Sequence, residues 1–459
     1  MKTIEIKGET FFEPAHPSYY NGSGNALHVL WRARKDFLSI WSEDDYQDRV
    51  FDWKILNRQI VIVNSPEWIK YVLIDRRDNF ERKTPQMRRA LEYLLGDGLF
   101  ISDGHTWNQR RPLVSDIVHK TRVPDFGPIM ATAAHELAAK WHQLPPGTHV
   151  NLLHEMAVLT AEIIARSVFG SQLGSEACQA VAKGFTKYQA SVDQLNPGYF
   201  VGFDDGLPLI RWPWLNHSVK SIHQVVDDVI DQHLKGRGEN QSMLSLLLKR
   251  QQRNPELNLN VAALRNEAAT IFMAGHETTA ATLSWAWYLL SSAPWVEQRL
   301  LEEIREVCGD RTPTVEDVPN LEWARAIIEE TLRLYPPVPI LGRQNQEADV
   351  INNIHVKPAS LILIVPWLLH RSASLFDDPH LFKPERFYRT RPPSYSYIPF
   401  AIGPRICPGL QFGRVEAILC LAILAQQFVI RVPEHHQVKP VCRLTLRPER
   451  GLPASIHPR

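Results

Sequence analysis

From Asn260 to Ala293 the chain runs without a proline and stops only before Pro294. The stretch reads as one helix of roughly 50 Å at the usual rise per residue, enough to cross a whole globule. Any fold for this chain has to be arranged around that rod. Near its middle stand His276, Glu277 and Thr278 among apolar neighbours. Burying a carboxylate or a hydroxyl unpaired is expensive, so Glu277 and Thr278 need a chemical explanation.

Shorter helical patterns run from Leu321 to Tyr335, stopped by Pro336-Pro337, and from Gly409 to Phe428. Two apolar runs read as strands: Gln59-Ile-Val-Ile-Val63 and Leu361-Ile-Leu-Ile-Val365. Ser65-Pro66 fits an N-cap and first helical position, and Asn352-Asn353 can supply a left-handed turn. The expected architecture is mainly α with small β-sheets. No repeat, low-complexity tract or Gly/Ser linker divides residues 1–459, so one domain is expected.

The 51 basic and 50 acidic side chains leave a net charge of +1, which gives no electrostatic case for nucleic acid. No signal-type apolar core opens the sequence, and no uninterrupted apolar span of about twenty residues follows. The five cysteines (Cys178, Cys308, Cys407, Cys420 and Cys442) are odd in number and widely spaced, without a C-x-x-C pair. Neither a disulfide framework nor a zinc site is suggested, and a reducing, cytoplasmic location is the expectation.

The richest segment is Phe400-Ala-Ile-Gly-Pro-Arg-Ile-Cys-Pro-Gly409. Phe400, Gly403, Arg405, Cys407 and Gly409 match F-x-x-G-x-R-x-C-x-G, and the chain here resembles the cytochrome P450 family, in particular its soluble, bacterial-type members. The resemblance implies the P450 fold, with haem b buried between the long central helix and the helix after the Cys loop. It makes Cys407 the iron ligand, whose thiolate favours O–O cleavage. A helix start just beyond the sulfur is expected to keep it ionised. Gly403 and Gly409 are expected to let backbone approach sulfur and porphyrin, Arg405 to bind a propionate, and Phe400 to shield the sulfur.

Three further segments match in order. Glu330-Thr-Leu-Arg333 is similar to the family's E-x-x-R pair, which Arg386 of Phe382-Lys-Pro-Glu-Arg-Phe387 would complete as a buried triad holding the Cys loop. Trp107 and Arg111 match a W-x-x-x-R placed to reach a propionate, as does Arg343. Ala274-Gly-His-Glu-Thr-Thr279 matches A-G-x-E/D-T. Here Thr278, helped by Gly275, would bond across a helix turn and widen it, opening room for oxygen. Glu277 would relay protons as a general acid. His276 reads as a packing or solvent-facing residue.

The resemblance extends from the Gln59 strand to Pro453. It departs at Ala359, where a glycine is usual, and at Pro112, directly after the expected propionate arginine. It also places four regions around the substrate: Leu94 to Phe100, Tyr188 to Phe203, Val338 to Leu341, and Leu444 to Leu446. Phe272, Met273, Val338, Ile340 and Leu446 are the pocket candidates, and their apolar character points to an apolar substrate. The reaction implied is insertion of one oxygen atom from O2 into that substrate. Rivals are a peroxide-using or hydroperoxide-rearranging relative, which usually lacks the acid–alcohol pair, and a non-catalytic haem-thiolate sensor.

No Gly-rich nucleotide fingerprint or cysteine cluster marks a fused reductase. Electrons are expected from a separate ferredoxin or flavodoxin-like donor with its NAD(P)H reductase. Arg110, Arg111, His119, Lys120, Arg122 and Arg414 would form a positive docking cluster for it.

Overall fold

A computed structural model describes the chain except residues 1, 7–8, 23–25, 48, 171–183, 185–187, 189–199, 201–212, 237–240, 258 and 443. The side chains of 2, 6, 9, 26–27, 213–218 and 221 likewise fall outside the description. The long helix spans Val261–Ser292, within one residue of the sequence reading at either end. Asn260 caps it, accepting a hydrogen bond from the Ala263 amide at 2.8 Å. Its flanks are covered by the helices Leu152–Phe169 and Glu322–Leu334 and the Cys-loop helix Leu410–Gln427. Gly275 explains one close approach: a Cβ there would sit 2.7 Å from Ile164 of the first of these helices. Gly275 thus serves helix packing.

The small sheets fall at the edge of this helical body. The largest has the order Arg49–Ile55, Arg58–Asn64, Leu361–Ile364, Leu341–Gln344, and its two central strands run parallel. Both predicted strands therefore pair with each other. Asn352 and Asn353 turn the hairpin Asp349–Ile351/Ile354–Val356 with φ of 47° and 64°. Ala359 takes φ of 61°, the left-handed conformation that a glycine would adopt without strain. Pro112 lies exposed inside the helix Gly104–Ile117, which continues through it.

The hairpin Lys2–Ile6/Glu9–Glu13 and the sheet that joins Thr148–Asn151 to Phe428–Arg431 and Pro453–Pro458 had no clear sequence signal. A third hairpin, Pro440–Cys442/Leu446–Pro448, brings the C-terminal region back beside the long helix. One apolar core cluster runs from Phe12 to Ile456. Among the described residues no helix is long and apolar enough to cross a membrane.

Candidate active site

A cavity of about 770 Å3 lies between the long helix and the Cys loop. Cys407, Phe400 and Gly409 line it from the loop, and Ala274, Gly275, Glu277 and Thr278 from the long helix. The loop is held by its own backbone: the Cys407 amide donates to the Phe400 carbonyl at 2.9 Å. Gly403 has φ of 73°, and a Cβ there would collide with the Leu73 carbonyl. Its role is to let the loop pass that neighbouring turn, not the porphyrin, and it is absent from the cavity wall.

The E-x-x-R pair is fully buried. Arg333 makes two bonds of 2.7 Å to the Glu330 carboxylate, and Arg386 Nε stands 3.5 Å from Glu330 Oε1. The remaining Arg333 donors reach the carbonyls of His370, Pro379 and Leu381. His370 Nε2 in turn accepts the Ile398 amide at 2.9 Å, two residues before Phe400. That chain of bonds is the physical route from triad to Cys loop.

Trp107, Arg111, Arg343 and Arg405 share the cavity wall with Lys83, which the sequence did not single out. The Arg405 guanidinium lies 4.5 Å from the Trp107 ring centre and gives one hydrogen bond, to the Ser102 carbonyl at 3.0 Å. Its Nε and Nη2 are buried without a partner among the described residues. Burial and the neighbouring Arg405 lower Arg343 to about 10, and burial lowers Arg405 to about 10. Lys83 is pushed down by burial and by both arginines. Three cations crowded against one cavity wall, with buried donors aimed at nothing, fit a dianion such as two propionates. The residues present therefore suit haem.

The Cys407 sulfur departs from expectation in one respect. Burial raises its pKa, and the Gly409 amide and Arg111 only partly oppose that. The helix begins at Leu410, too far on to keep the thiol ionised unaided. A coordinated metal ion would deprotonate it outright.

On the long helix Thr278 Oγ1 donates to the Ala274 carbonyl at 2.7 Å. The expected bond across the turn is present, yet the helix stays α throughout, without the expected widening. Glu277 Oε1 accepts from Thr445 Oγ1 at 2.5 Å, across from the C-terminal hairpin. His276 is buried, its ring 5.8 Å from that of Phe272, and burial depresses its pKa to about 4. It is a packing residue. Glu416 on the Cys-loop helix, also missed, is fully buried beside Thr279, and burial drives its acid far above the carboxylate range.

Met273, Val338 and Ile340 line the cavity, as do Leu99, Phe100 and Phe200. Phe272 does not: it is buried against Phe169 on the outer side of the helix, ring centres 6.3 Å apart. Leu446 does not either. Its backbone is pinned to Pro337 (3.0 Å) and Trp285 (3.2 Å), leaving Leu444 and Thr445 to face the space. Most of the Tyr188 to Phe203 region lies outside the described residues. The expected docking cluster also changes. Arg110 is buried and pairs with Glu267 and Asp97, while Arg414 pairs with Glu329 at 2.7 Å. Both charges are consumed internally.

Against this geometry stand the known proteins. The model of the cytochrome P450 family matches residues 24–452. Cyclooctatin synthase of Streptomyces melanosporofaciens is 29% identical over 92% of this chain and 91% of its own. Cytokinin hydroxylase of Arabidopsis thaliana is 29% identical over 91% of this chain and 82% of its own. In fold the chain is similar to the crystal structure of the cytochrome P450DA heme domain, with a TM-score of 0.80, 22% identity and 97% of both chains covered.

Proposed function

Because the chain belongs to the cytochrome P450 family and is a haem-dependent monooxygenase, we propose that Cys407 is the sole protein ligand to the iron, and that Glu277 with Thr278 moves protons on the long-helix side. The observation that carries this reading is the shared cavity: the thiol, the acid–alcohol pair and the cation cluster all line one space. When bound, the haem supplies oxygen activation, with the thiolate as electron donor. Lys83, Arg343, Arg405 and Trp107 would hold the propionates, with Arg111 close to the sulfur. Glu277 transfers protons from the cavity wall, and the Thr278 hydroxyl, anchored on the Ala274 carbonyl, is the second polar group at that turn.

The apolar wall of Met273, Phe100, Val338 and Ile340 favours an apolar small-molecule substrate. The relatives' names differ too widely to choose one. Electrons come from a separate ferredoxin, or second a flavodoxin-like protein, with its NAD(P)H reductase. The cysteines Cys308, Cys407 and Cys420, free among the described residues, support a reducing cytoplasmic location. The core cluster shared from Phe12 to Ile456 supports reading 1–459 as one domain.

Replacing Cys407 with Ala is the direct test. The purified variant is expected to lose the thiolate signature of the reduced carbon-monoxide spectrum together with its activity. Retention of both would overturn the assignment.

A further inference from the structure

The C-terminal hairpin touches the long helix at two points eight residues apart. At one, Trp285 Nε1 donates to the Leu446 carbonyl at 3.2 Å, and Trp285 is itself fixed by stacking on Tyr335, ring centres 3.9 Å apart. At the other, the Thr445 hydroxyl donates to Glu277 Oε1 at 2.5 Å. The tip is also tied on its far side, where the Cys442 amide donates to Asp36 Oδ1 at 3.1 Å. Between these anchors, Leu444 and Thr445 face the cavity that Glu277 also lines.

The two contacts differ in kind. The Trp285 bond grips backbone and fixes where the hairpin lies. The Thr445 bond joins two side chains, so it bears directly on which way one carboxylate points. Thr278 offers Glu277 no equivalent hold, because its hydroxyl is committed to the Ala274 carbonyl. A hydrogen bond to a carboxylate is among the stronger kind and is directional. Anything filling the space beside Leu444 presses on the residue next to that bond.

We propose that Thr445 is a positioning residue for Glu277: its hydroxyl holds the carboxylate at the cavity wall, and thereby sets how efficiently electrons are turned into product instead of peroxide. The proposal rests on the reading of Glu277 as a proton relay. Thr445 exchanges no proton with substrate or oxygen. It acts through the orientation of Glu277, and a ligand reaching Leu444 acts on the same restraint.

The test uses the haem-loaded full chain and four variants: Thr445→Val, which keeps the shape and removes the donor, Thr445→Ser, which keeps the donor, Glu277→Gln, and the Val/Gln double variant. Two readouts are taken. Peroxide and dealkylated product are counted per NAD(P)H with 7-ethoxycoumarin as probe and a surrogate ferredoxin and reductase. The infrared carboxylate band of Glu277 is isolated by subtracting the Glu277→Gln spectrum. Thr445→Val should shift that band and raise the ratio of peroxide to product roughly tenfold or more, as loss of one charge-assisted hydrogen bond implies. Haem content should stay normal, Thr445→Ser should restore both readouts, and the double variant should be no worse than Glu277→Gln.

An unshifted band in Thr445→Val overturns the proposal without any turnover, and so covers the case of a poorly active variant. Normal coupling in Thr445→Val with poor coupling in Glu277→Gln overturns Thr445 alone and leaves the relay standing. Normal coupling in Glu277→Gln overturns both. Additive losses in the double variant mean that Thr445 acts on packing or substrate, which also overturns it.

Discussion

Arg110 Nη1 lies 2.8 Å from Glu267 Oε1, and this buried pair ties the helix of Trp107 to the long helix. The same carboxylate accepts the Leu99 amide at 3.1 Å, and Arg110 Nη2 reaches Asp97 Oδ2 at 2.8 Å. A charge placed like this cannot face a redox partner. It joins two elements that carry residues of the cavity wall.

Breaking such a pair from one side leaves an uncompensated buried charge, which costs about 3–5 kcal/mol. Arg110→Met should therefore lower the thermal midpoint clearly and weaken haem retention. Differential scanning calorimetry and the haem-to-protein absorbance ratio check both. A variant as stable as the parent would mean that the pair is not maintained in solution.

Lys83 makes a prediction whose sign depends on haem. In the protein alone burial, Arg343 and Arg405 all disfavour its charge, so Lys83→Met should leave the haem-free protein as stable or more so. With haem bound, the same change removes a charge-assisted bond to a propionate, worth about 1.5–3 kcal/mol. Haem transfer to an acceptor apoprotein should then quicken roughly tenfold or more. An unchanged transfer rate would remove Lys83 from the propionate cradle.

Much of the site was legible because its spacing is local. Phe400 to Gly409, Glu330 with Arg333, and Ala274 to Thr279 each lie within one turn or loop, and the long helix declared itself by its length and Pro294. Groups that work through distant partners left no such trace. Arg110 looked like a surface charge because Glu267 is 157 residues away, and Thr445 meets Glu277 across 168. Lys83 stands beside Arg343 because the backbone at Arg82 pairs with Gln344 of the strand Leu341–Gln344, 262 positions on. Phe272 and Leu446 erred by one or two positions. On a helix wall or a hairpin tip, a shift that small exchanges the cavity face for the core.

Glu416 gives a pH dependence. Burial raises its folded pKa above the unfolded value, so the native state holds the proton longer than the unfolded chain. Its contribution to stability is fully present below the ordinary carboxylate range and is lost as pH rises through that window towards the folded pKa. The loss amounts to about 1.4 kcal/mol per pH unit. Glu416→Gln mimics the neutral acid and does not titrate. The thermal midpoint of wild type should thus fall relative to Glu416→Gln on going from about pH 5 to about pH 8. Parallel curves for the two proteins would show that Glu416 is already ionised in the fold.

Electron entry is the remaining test, and the structure narrows it. With Arg110 and Arg414 engaged internally and Arg111 on the cavity wall, the expected cluster keeps His119 and Lys120, which are exposed, and Arg122. Arg122 stands 3.9 Å from Asp116, a carboxylate already held by Arg250 at 2.6 Å, and its side chain is 37% exposed. Ile406, on the Cys loop itself, is 36% exposed and offers a partner an apolar contact close to the sulfur. Steering by a few exposed charges speeds encounter with an acidic protein and fades with salt, whereas apolar contact does not. Charge reversal at Lys120 and Arg122 should slow reduction by an acidic ferredoxin several-fold at low ionic strength and little at high. Arg110 must be left intact, since its loss would be read wrongly as a docking defect. Stopped-flow reduction across a salt series measures this, and equal rates for variant and parent at every salt concentration would move the docking site off this face.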